Sequence, residues 1–572
     1  MKLRAPALII LCFLVVFTCA ACSVRDDSIV KVSIKFNVDG GTPVAEMPYA
    51  SLSTSPKTEK SGYVFSGWYE DKERSKHVSF PYSTITSVTL YAGWVDIETG
   101  NADTTYVINE DGKSYTAKKL RVKTGAVVIP DKHNGLPVTQ IADGFFSFNS
   151  AINCLYLGKN VSVIDDDINA VITLEECIVA GNNECYSAEN GVLFDKNKKE
   201  LIAFPSSKNV KEYTIGAIKV RENAFKNCKF VTTVNFSAAV ISAEKIFSAE
   251  SSVLSVKVDE RNTEYFDDDG ILYTKNPQRL IYLSANKQIG NLKVKEGTVS
   301  VEDGALNSYY LETIELPKET IYFGACDTPL LEAINIDENN DFYCSVDGIL
   351  FSKNGLILYK CPQGRNGEVV VKSGVEEISA FAFENCEYIT RLFLPASLKK
   401  VGNYAFQAAR LLYRVDLENG SLLSTVGQGV FMYCDSLHRI SLTTRIPPMC
   451  APDIFNSLDY NIILSVPLNA VELYRKAWNL NERNIVGECD ALTEYVVDFD
   501  VNGGENVVFE NNGIESVNHY QGVAIIDPPV TKKDGYAFLG WAESDNPSTI
   551  IESFPYVITK KVTLVAKFVP IE

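Results

Sequence analysis

The sequence predicts a mainly β protein, a solenoid of stacked strand-bearing repeats with hairpin insertions, flanked by two small β modules. Three observations support this fold class. An Ala-Phe motif recurs in the middle of the chain and leads each time into an alternating strand, a longer block recurs three times, and two segments near the ends resemble each other. A chain of 572 residues greatly exceeds one ordinary hydrophobic core, so a repeat array fits its length.

The first 21 residues have the order of an export signal. The basic start MKLR precedes an apolar stretch from Ala5 to Phe17, and small residues then precede Cys22. The stretch is too short to span a bilayer comfortably. The CAAC at its end resembles a bacterial lipobox, although Cys19 replaces the usual aliphatic residue, and this resemblance implies cleavage before Cys22 and acylation of its thiol. An ordinary secretory signal without a lipid is the alternative.

The two flanking segments share a motif. GYVFSGWYE from Gly62 and GYAFLGWAE from Gly535 each follow a strand that ends in a Gly-Gly turn, and each leads into a second alternating run. Both segments resemble the internalin B-repeat family, the Listeria-Bacteroides repeats, which implies small β-grasp-like modules. Tryptophan in so small a module is expected in its core. The resulting assignments are a signal peptide at 1–21, a linker at 22–30, and modules at 31–96 and 489–572.

The middle of the chain repeats a short unit. With the phenylalanine of the Ala-Phe motif as position zero, apolar residues recur six, nine and eleven positions later. Phe383 and Phe406 are 23 residues apart, and Phe431 follows after 25 more. This period lies in the leucine-rich-repeat range of roughly 20 to 29 residues, in which each unit contributes a strand and buries its apolar face only against its neighbours.

The repeats resemble the BspA-like family of leucine-rich repeats. LPASLKKVG from Leu394 to Gly402 matches the LPxSLxxIG consensus of that family closely. The resemblance implies a linker at 97–105 and a solenoid at 106–488. Because equal offsets face the same side of a solenoid, we expect one continuous buried column of phenylalanines. Its predicted members are Phe225, Phe383, Phe406 and Phe431.

A longer block begins at Asn183, Asn262 and Asn340. Each asparagine is followed by an aromatic residue after three positions and by a glycine after eight, and then by two β-rich runs around a turn. We therefore expect a β-hairpin insertion in each block, with plain repeats between the insertions.

Composition and motifs argue against several functions. The net charge of −18 and the absence of a basic run make nucleic acid an unexpected partner. The chain has no GxSxG, HExxH, Walker A or GxGxxG motif, and its histidines have no second ligand at metal spacing. We therefore expect no enzyme activity, no catalytic residue, no cofactor and no metal. The cysteines of the repeats are expected to be small buried fillers, because their spacing is not that of a disulfide framework.

Two acidic runs, at residues 165–167 and 267–269, are candidate calcium sites, because Ca²⁺ binds several carboxylate oxygens. Their spacing is not that of an EF-hand loop, and adjacent side chains point in different directions. Solvated acidic turns are the favoured interpretation.

One charged stripe is the candidate ligand site. At offset eight, successive units carry Arg391, Arg414 and Arg439, with Phe393 at offset ten. Residues at these offsets alternate with core residues and are expected to point outward on neighbouring strands. Arginine forks bind carboxylates and sulfates, so the stripe fits an acidic protein or glycan. The competing interpretation is a solvated face on which Asp416, Glu418 or Asp435 neutralises the arginines.

An exported solenoid with a long sheet of outward side chains and no reaction centre is a binding surface. The resemblance implies a role in adhesion for a lipid-anchored cell-surface protein, in the outer membrane if the cell has two membranes. The expected partners are host extracellular-matrix proteins, bacterial surface proteins or glycans, with the membrane contacted through the lipid anchor. A structural spacer and a protein that captures polysaccharide are the alternatives.

Overall fold

The computed structural model confirms a mainly β fold, with 40% of the described residues in strands and 3% in helices. The chain divides into two compact units, unit 1 formed by residues 1–198 and 203–208 and unit 2 formed by residues 199–202 and 209–572. The structure describes residues 32–48, 50–121, 125–147, 151–165, 168–444, 446–450, 462–478, 485–488, 495–505, 519–522, 524–525, 530–551, 556–557 and 561–571.

Unit 1 contains the N-terminal module and the first solenoid repeats. The strands of the module are Ile34–Asn37, Ser51–Leu52, Tyr63–Tyr69, Tyr82–Ser83 and Val88–Asp96. The solenoid strands that follow are Thr104–Ile108, Tyr115–Leu120, Gly125–Ile129, Lys132–His133, Leu136–Ile141, Ile152–Leu157, Val163–Ile164, Glu176–Val179, Tyr186–Glu189 and Val192–Asp195, with a 3₁₀ turn at Ile168–Ala170.

The N-terminal module is built on a three-stranded sheet in which the strand at 88–96 lies between those at 34–37 and 63–69. Trp68 is fully buried in its core. The ring of Phe36 packs edge-on against Trp68 with 4.7 Å between ring centroids. The expected core position of tryptophan is confirmed here.

A seam joins this module to the first long strands of the solenoid. Val64 packs with Ala126 and Cys154 in one buried cluster. The Ala126 N–H donates a hydrogen bond to Ser66 Oγ at 3.0 Å. A side chain at Gly125 would collide with Ser66, so this approach requires glycine. We call this contact the N-terminal seam.

The segment expected to be a linker takes part in the N-terminal seam. The Asn101 side chain accepts a hydrogen bond from the Val128 N–H at 2.7 Å and donates one to the Ala126 carbonyl at 2.9 Å. Beyond it, Lys57 Nζ lies 2.9 Å from Glu176 Oε1. Apolar packing, hydrogen bonds between side chains and main-chain groups, and an ion pair therefore fix the module to these strands.

Unit 2 contains the rest of the solenoid and the C-terminal module. Its solenoid strands are Glu200–Ala203, Glu212–Ile215, Lys219–Val220, Thr233–Phe236, Ser255–Val258, Tyr265–Asp268, Ile271–Lys275, Gln278–Tyr282, Asn291–Lys293, Ser300–Val301, Thr313–Leu316, Tyr322–Phe323, Ala333–Ile336, Tyr343–Val346, Ile349–Ser352, Ile357–Lys360, Gly367–Val370, Glu377–Ile378, Ile389–Leu394, Lys400–Val401, Arg414–Leu417, Thr425–Val426, Arg439–Ser441, Met449–Cys450, Ile463–Pro467 and Ile485–Glu488. A 3₁₀ turn at Leu468–Ala470 leads into an α-helix at Val471–Trp478. The strands of the C-terminal module are Tyr495–Asp500, His519–Gly522, Ala524–Ile525, Tyr536–Glu543, Tyr556–Val557 and Val562–Pro570.

Two columns of parallel strands run along the solenoid of unit 2. The longer strands form two three-stranded sheets and one six-stranded sheet, together called the long ladder, and the two-residue strands form a second column, the short ladder. Leu392, Val415 and Ile440 are directly paired on neighbouring long strands and are all buried. These residues hold the same offset from their phenylalanines, so the predicted register is confirmed.

The predicted insertions interrupt the long ladder after every third strand. In the second insertion, the strands at 265–268, 271–275 and 278–282 form an antiparallel meander, one strand more than the expected hairpin. The Val256 N–H, on the long strand just before this insertion, donates to the Gly270 carbonyl at 3.0 Å. The Val256 N–H is therefore bonded to the insertion and not to a further long strand, so the three-stranded parallel sheet ends here.

A buried asparagine begins each insertion. Asn262 Nδ2 donates to the carbonyls of Ser237 and Val240, both at 2.9 Å. Its Oδ1 accepts hydrogen bonds from the N–H groups of Glu264 at 2.9 Å and Tyr265 at 2.8 Å. The four bonds satisfy the buried amide and tie the insertion to the preceding repeat. The same pattern recurs at Asn183 and Asn340.

The phenylalanine column is confirmed in part. Phe383, Phe406 and Phe431 form a continuous run, with ring centroids 5.2 and 5.5 Å apart. Phe225 is also buried, but it packs in a separate aromatic run with Phe247. The two runs are separate because the repeats between them carry leucine or cysteine in place of phenylalanine.

The C-terminal module repeats the core of the first. The strand at 562–570 lies between those at 495–500 and 536–543. Trp541 is fully buried, and Phe499 packs edge-on against it at 4.9 Å between ring centroids. The two modules therefore share one core design.

Candidate ligand-binding face

The outward side of the long ladder is the candidate site. Along each long strand, core residues alternate with residues that point away from the core, and we call the surface formed by the latter the outer face. Between residues 212 and 336, hydroxyl, amide and charged groups dominate the outer face. In unit 2, this face begins with Glu212, Thr214, Thr233, Asn235, Ser255, Lys257, Asn291, Lys293, Thr313, Glu315, Ala333 and Asn335 and continues with Glu368, Val370, Arg391 and Phe393.

Polar side chains of neighbouring strands bind one another along the outer face. Asn235 Nδ2 donates to Glu212 Oε1 at 2.8 Å, and Thr313 Oγ1 donates to Asn291 Oδ1 at 2.6 Å. The strands beneath them are held in parallel register by main-chain hydrogen bonds. The outer face therefore presents polar groups in fixed columns, which reduces the entropy lost when a ligand is bound.

The predicted arginine stripe is aligned, but most of it is closed to solvent. Arg391, Arg414 and Arg439 are paired on neighbouring strands, as the register requires. Arg414 and Arg439 are only 5% and 3% exposed, contrary to the expected open docking stripe. Asp416 accepts hydrogen bonds from Nε of Arg391 and Nε of Arg414, both at 2.8 Å. Asp416 therefore neutralises Arg391 and Arg414, as in the competing interpretation, but these ion pairs are buried rather than solvated.

Arg391 and Phe393 mark the margin between the open and the buried parts of the outer face. Both side chains are half-buried. The guanidinium carbon of Arg391 lies 4.3 Å from the centroid of the Phe393 ring, a cation–π contact. Arg391 also lies 3.8 Å from Glu368. The Arg391 guanidinium therefore already contacts an aromatic ring and a carboxylate.

The acidic run at 267–269 does not converge on one point. Asp268 lies 3.3 Å from Lys295 Nζ, Asp269 lies 3.0 Å from Lys287 Nζ, and Asp267 accepts a main-chain hydrogen bond at 2.8 Å. Two residues of the other acidic run lie outside the described residues. Within the described part of the chain, no group of three His, Cys, Asp or Glu side chains could hold a metal ion.

The cysteines of the repeats are buried thiols. Cys228, Cys386 and Cys434 are fully buried, which confirms their expected role as fillers. Burial raises the pKa of Cys434 to about 12, so this thiol stays protonated and unreactive at neutral pH. Cys185 is exposed. The candidate lipidation residue Cys22 lies outside the described residues.

Sequence analysis missed a group of exposed apolar side chains in the turns that precede the long strands. Tyr310, Leu330, Tyr388 and Leu411 occupy this place in their repeats, and Tyr309 lies beside them. We call this surface the aromatic edge. The alternating pattern that identifies the repeats begins after these residues, so it gives no sign of the aromatic edge.

Two family models match the chain. The BspA type leucine rich repeat region matches residues 200–292 and 359–450 in six copies. The Listeria-Bacteroides repeat domain matches residues 33–93 and 495–567. Together these segments make up more than half of the chain. No helix among the described residues is long and apolar enough to cross a membrane.

Individual relatives are distant or short. A putative membrane protein of Evansella cellulosilytica is 39% identical over 66 residues, which are 11% of this chain and only 10% of that protein. A leucine rich cell surface protein of Faecalibacterium prausnitzii has 17% identity and a TM-score of 0.33, over 57% of this chain and 96% of that chain. The pneumococcal vaccine antigen PcpA has 14% identity and a TM-score of 0.24, over 68% of this chain and 100% of that chain.

The two family models match the same segments that carry the repeat motifs and the paired module motifs. The chain therefore belongs to the proteins built from BspA-type leucine-rich repeats, here flanked by two Listeria-Bacteroides repeat domains.

Proposed function

We propose that this chain is a lipid-anchored bacterial cell-surface protein that binds an extracellular protein or glycan through its outer face and catalyses no reaction. The observation that carries the proposal is the open part of the outer face between residues 212 and 336. There the strand register holds exposed hydroxyl, amide and charged side chains in columns. The export signal and Cys22 supply the anchor, and the flanking modules support a place outside the cell.

The ligand is sought with the chain from residue 23, produced without lipid, against matrix proteins, bacterial surface extracts and purified polysaccharides. A face variant changes Thr214, Lys257, Lys293 and Asn335 to Ala. We expect its affinity to fall at least about tenfold, because a few central side chains carry most of the binding energy. The control variant changes Lys219 and Lys400 to Ala, which removes the same charge from the exposed side of the short ladder.

The control variant should bind as the unchanged chain does, and circular dichroism should show both variants folded. Normal binding by the face variant would contradict the proposal. An unchanged chain that binds none of the probes would instead indicate a structural spacer. The anchor is tested separately: Cys22→Ala should release the full-length protein from the membrane fraction. Unchanged retention, with no lipid detected on the mature N-terminus of the unchanged protein, would contradict the assignment.

A second candidate is capture of polysaccharide, which the aromatic edge favours because sugar rings pack well on exposed aromatic side chains. Changing Tyr309, Tyr310 and Tyr388 to Ala separates the two functions. Loss of polysaccharide binding in this variant, with the face variant unaffected, would replace the outer face by the aromatic edge as the ligand site.

A further inference from the structure

The C-terminal module exposes a face that its counterpart in unit 1 buries. In the first module, the residues of the N-terminal seam are Val64, Ser66, Val95 and Ile97. Aligning GYVFSGW with GYAFLGW and VTLYAGWVDI with VTLVAKFVPI gives their equivalents as Ala537, Leu539, Val569 and Ile571. Leu539, Val569 and Ile571 are 53%, 42% and 65% exposed. We call this surface the module face.

The main chain confirms that the two faces are equivalent. Val64 pairs with Val95 in the first module, as Ala537 pairs with Val569 in the second. The chain then continues in the same way, since the Ile571 N–H donates to the Gly535 carbonyl at 2.9 Å, as the Ile97 N–H donates to Gly62 at 3.1 Å. The module face is therefore the equivalent, in the C-terminal module, of the surface by which the first module docks onto its solenoid strands.

The receiving strand of the N-terminal seam also has a counterpart in unit 2. Gly125–Ile129 reads GAVVI, and Gly367–Val370 reads GEVV. Both strands begin with a glycine of positive φ, 93° at Gly125 and 72° at Gly367. Both also show a register shift directly after that glycine where they pair with the next long strand. Val370, the equivalent of the seam residue Val128, is 71% exposed.

The second pair of surfaces carries two oppositely charged residues where the first pair carries small ones. Glu368 stands where the first receiving strand has Ala126. Lys567 stands where the first module has Gly93, on the same side of its strand as Val569. Val569 and Ile571 retain the apolar residues of the first module, Leu539 replaces a serine, and Ala537 is smaller than its equivalent valine. The receiving surface also gains Arg391, which stands where the first seam has Cys154 and lies 3.8 Å from Glu368. The apolar centre is formed by exposed residues of both surfaces.

We propose that the module face of one copy of this chain docks onto the strand Gly367–Val370 of a second copy. The four residues at the centre of the two surfaces, Leu539, Val569, Ile571 and Val370, are all exposed in the single chain, so the chain does not make this contact with itself. A second copy supplies both halves, and the resulting contact reproduces the N-terminal seam between molecules. This association is separate from ligand binding at residues 212 to 336.

Sedimentation velocity of the chain from residue 23 tests the contact at protein concentrations from about 1 to 100 μM, a range suited to interfaces of modest size. The weight-average sedimentation coefficient should rise above that of one copy as concentration increases. Leu539→Asp and Val370→Asp should each raise the dissociation constant at least about tenfold, because each buries a charge at the centre of the contact. Ile321→Asp is the matched control, since Ile321 is 50% exposed on the short-ladder side, and it should associate normally.

A charge exchange tests the pairing itself. Lys567→Glu and Glu368→Lys should each weaken association, and the two changes together should restore it, because opposite charges again face each other. Unchanged thermal unfolding shows that the variants fold. A chain that is monomeric at every concentration would overturn the proposal. Association lost with Leu539→Asp but kept with Val370→Asp would also overturn it, because the modules would then pair with each other.

Discussion

Asp416 is a carboxylate with little access to water between two arginine side chains. Its side chain is 8% exposed, and that of Arg414 is 5% exposed. Moving charged groups out of water costs several kcal/mol for each ion, so such a group is tolerated only when its partners are close and well oriented. Here, Arg391 Nε donates to Oδ2 and Arg414 Nε donates to Oδ1 of one carboxylate. The residue ties two neighbouring long strands together.

We predict that Asp416→Asn lowers the free energy of unfolding by about 3 kcal/mol, because it leaves buried arginine charge without its carboxylate. Asp435→Asn is the matched control. Asp435 forms an ion pair with Arg410 at 2.8 Å in the same region, but its side chain is 57% exposed. Its loss should change the free energy by less than about 1 kcal/mol. Urea unfolding followed by circular dichroism measures both, and equal effects would show that burial does not set the strength of these pairs.

The sequence predicted the alignment of Arg391, Arg414 and Arg439 but not their burial. Alignment follows from core spacing, because each apolar residue at offset nine fixes the strand register and so the position of its neighbours. Burial depends on the rest of the molecule, which the alternation within one strand does not encode. The same limit applies to Asn262, whose recurrence was visible while its four main-chain partners were not.

At the scale of elements, each insertion ends a parallel sheet through a glycine. Gly270 has φ +77°, and a Cβ there would lie 2.9 Å from Ser255 Cβ and 3.2 Å from Ser255 Cα. Only glycine permits this approach of the meander to the last long strand. The position therefore combines a left-handed conformation with close packing.

We predict that Gly270→Ala destabilises unit 2 by about 2–3 kcal/mol, of which about 1 kcal/mol is the left-handed conformation and the rest is the collision with Ser255. Gly355→Ala is the control, because Gly355 has φ +73° and only the end of a lysine side chain nearby, 3.7 Å away. It should cost about 1 kcal/mol. Chemical unfolding of both variants checks the difference, and equal losses would mean that the close approach has no energetic role.

The sequence predicted the insertions and missed one strand in each. The two apolar runs, such as ILYTK and QRLIY, alternate and are read as strands. The strand before them, YFDD in the second insertion, carries acidic residues typical of a turn. It forms a strand because its main chain pairs with 271–275 and its tyrosine is buried. Long-range pairing outweighed local propensity there.

At the scale of the whole molecule, the two modules share a core and differ in the surface around it. The sequence predicted both modules, because Trp68 and Trp541 recur with the same flanking pattern. It did not predict the N-terminal seam, since the seam residues are ordinary alternating strand residues whose partners lie about 60 positions away, as with Ser66 and Ala126. The modules differ in the exposure of equivalent residues, which depends on what each module packs against and is not encoded in the strand pattern.

The buried asparagines have a consequence for how such a protein can change length. From Asn183 to Asn262 is 79 residues, and from Asn262 to Asn340 is 78. Each interval holds one insertion and three long strands. When a gene gains or loses one whole interval, each buried asparagine still meets the carbonyl groups of an equivalent repeat, and the strands of both ladders keep their pairing. Most other changes in length leave a strand without its neighbour. The interval is thus a modular unit, and the number of these units can set the length of the solenoid during evolution.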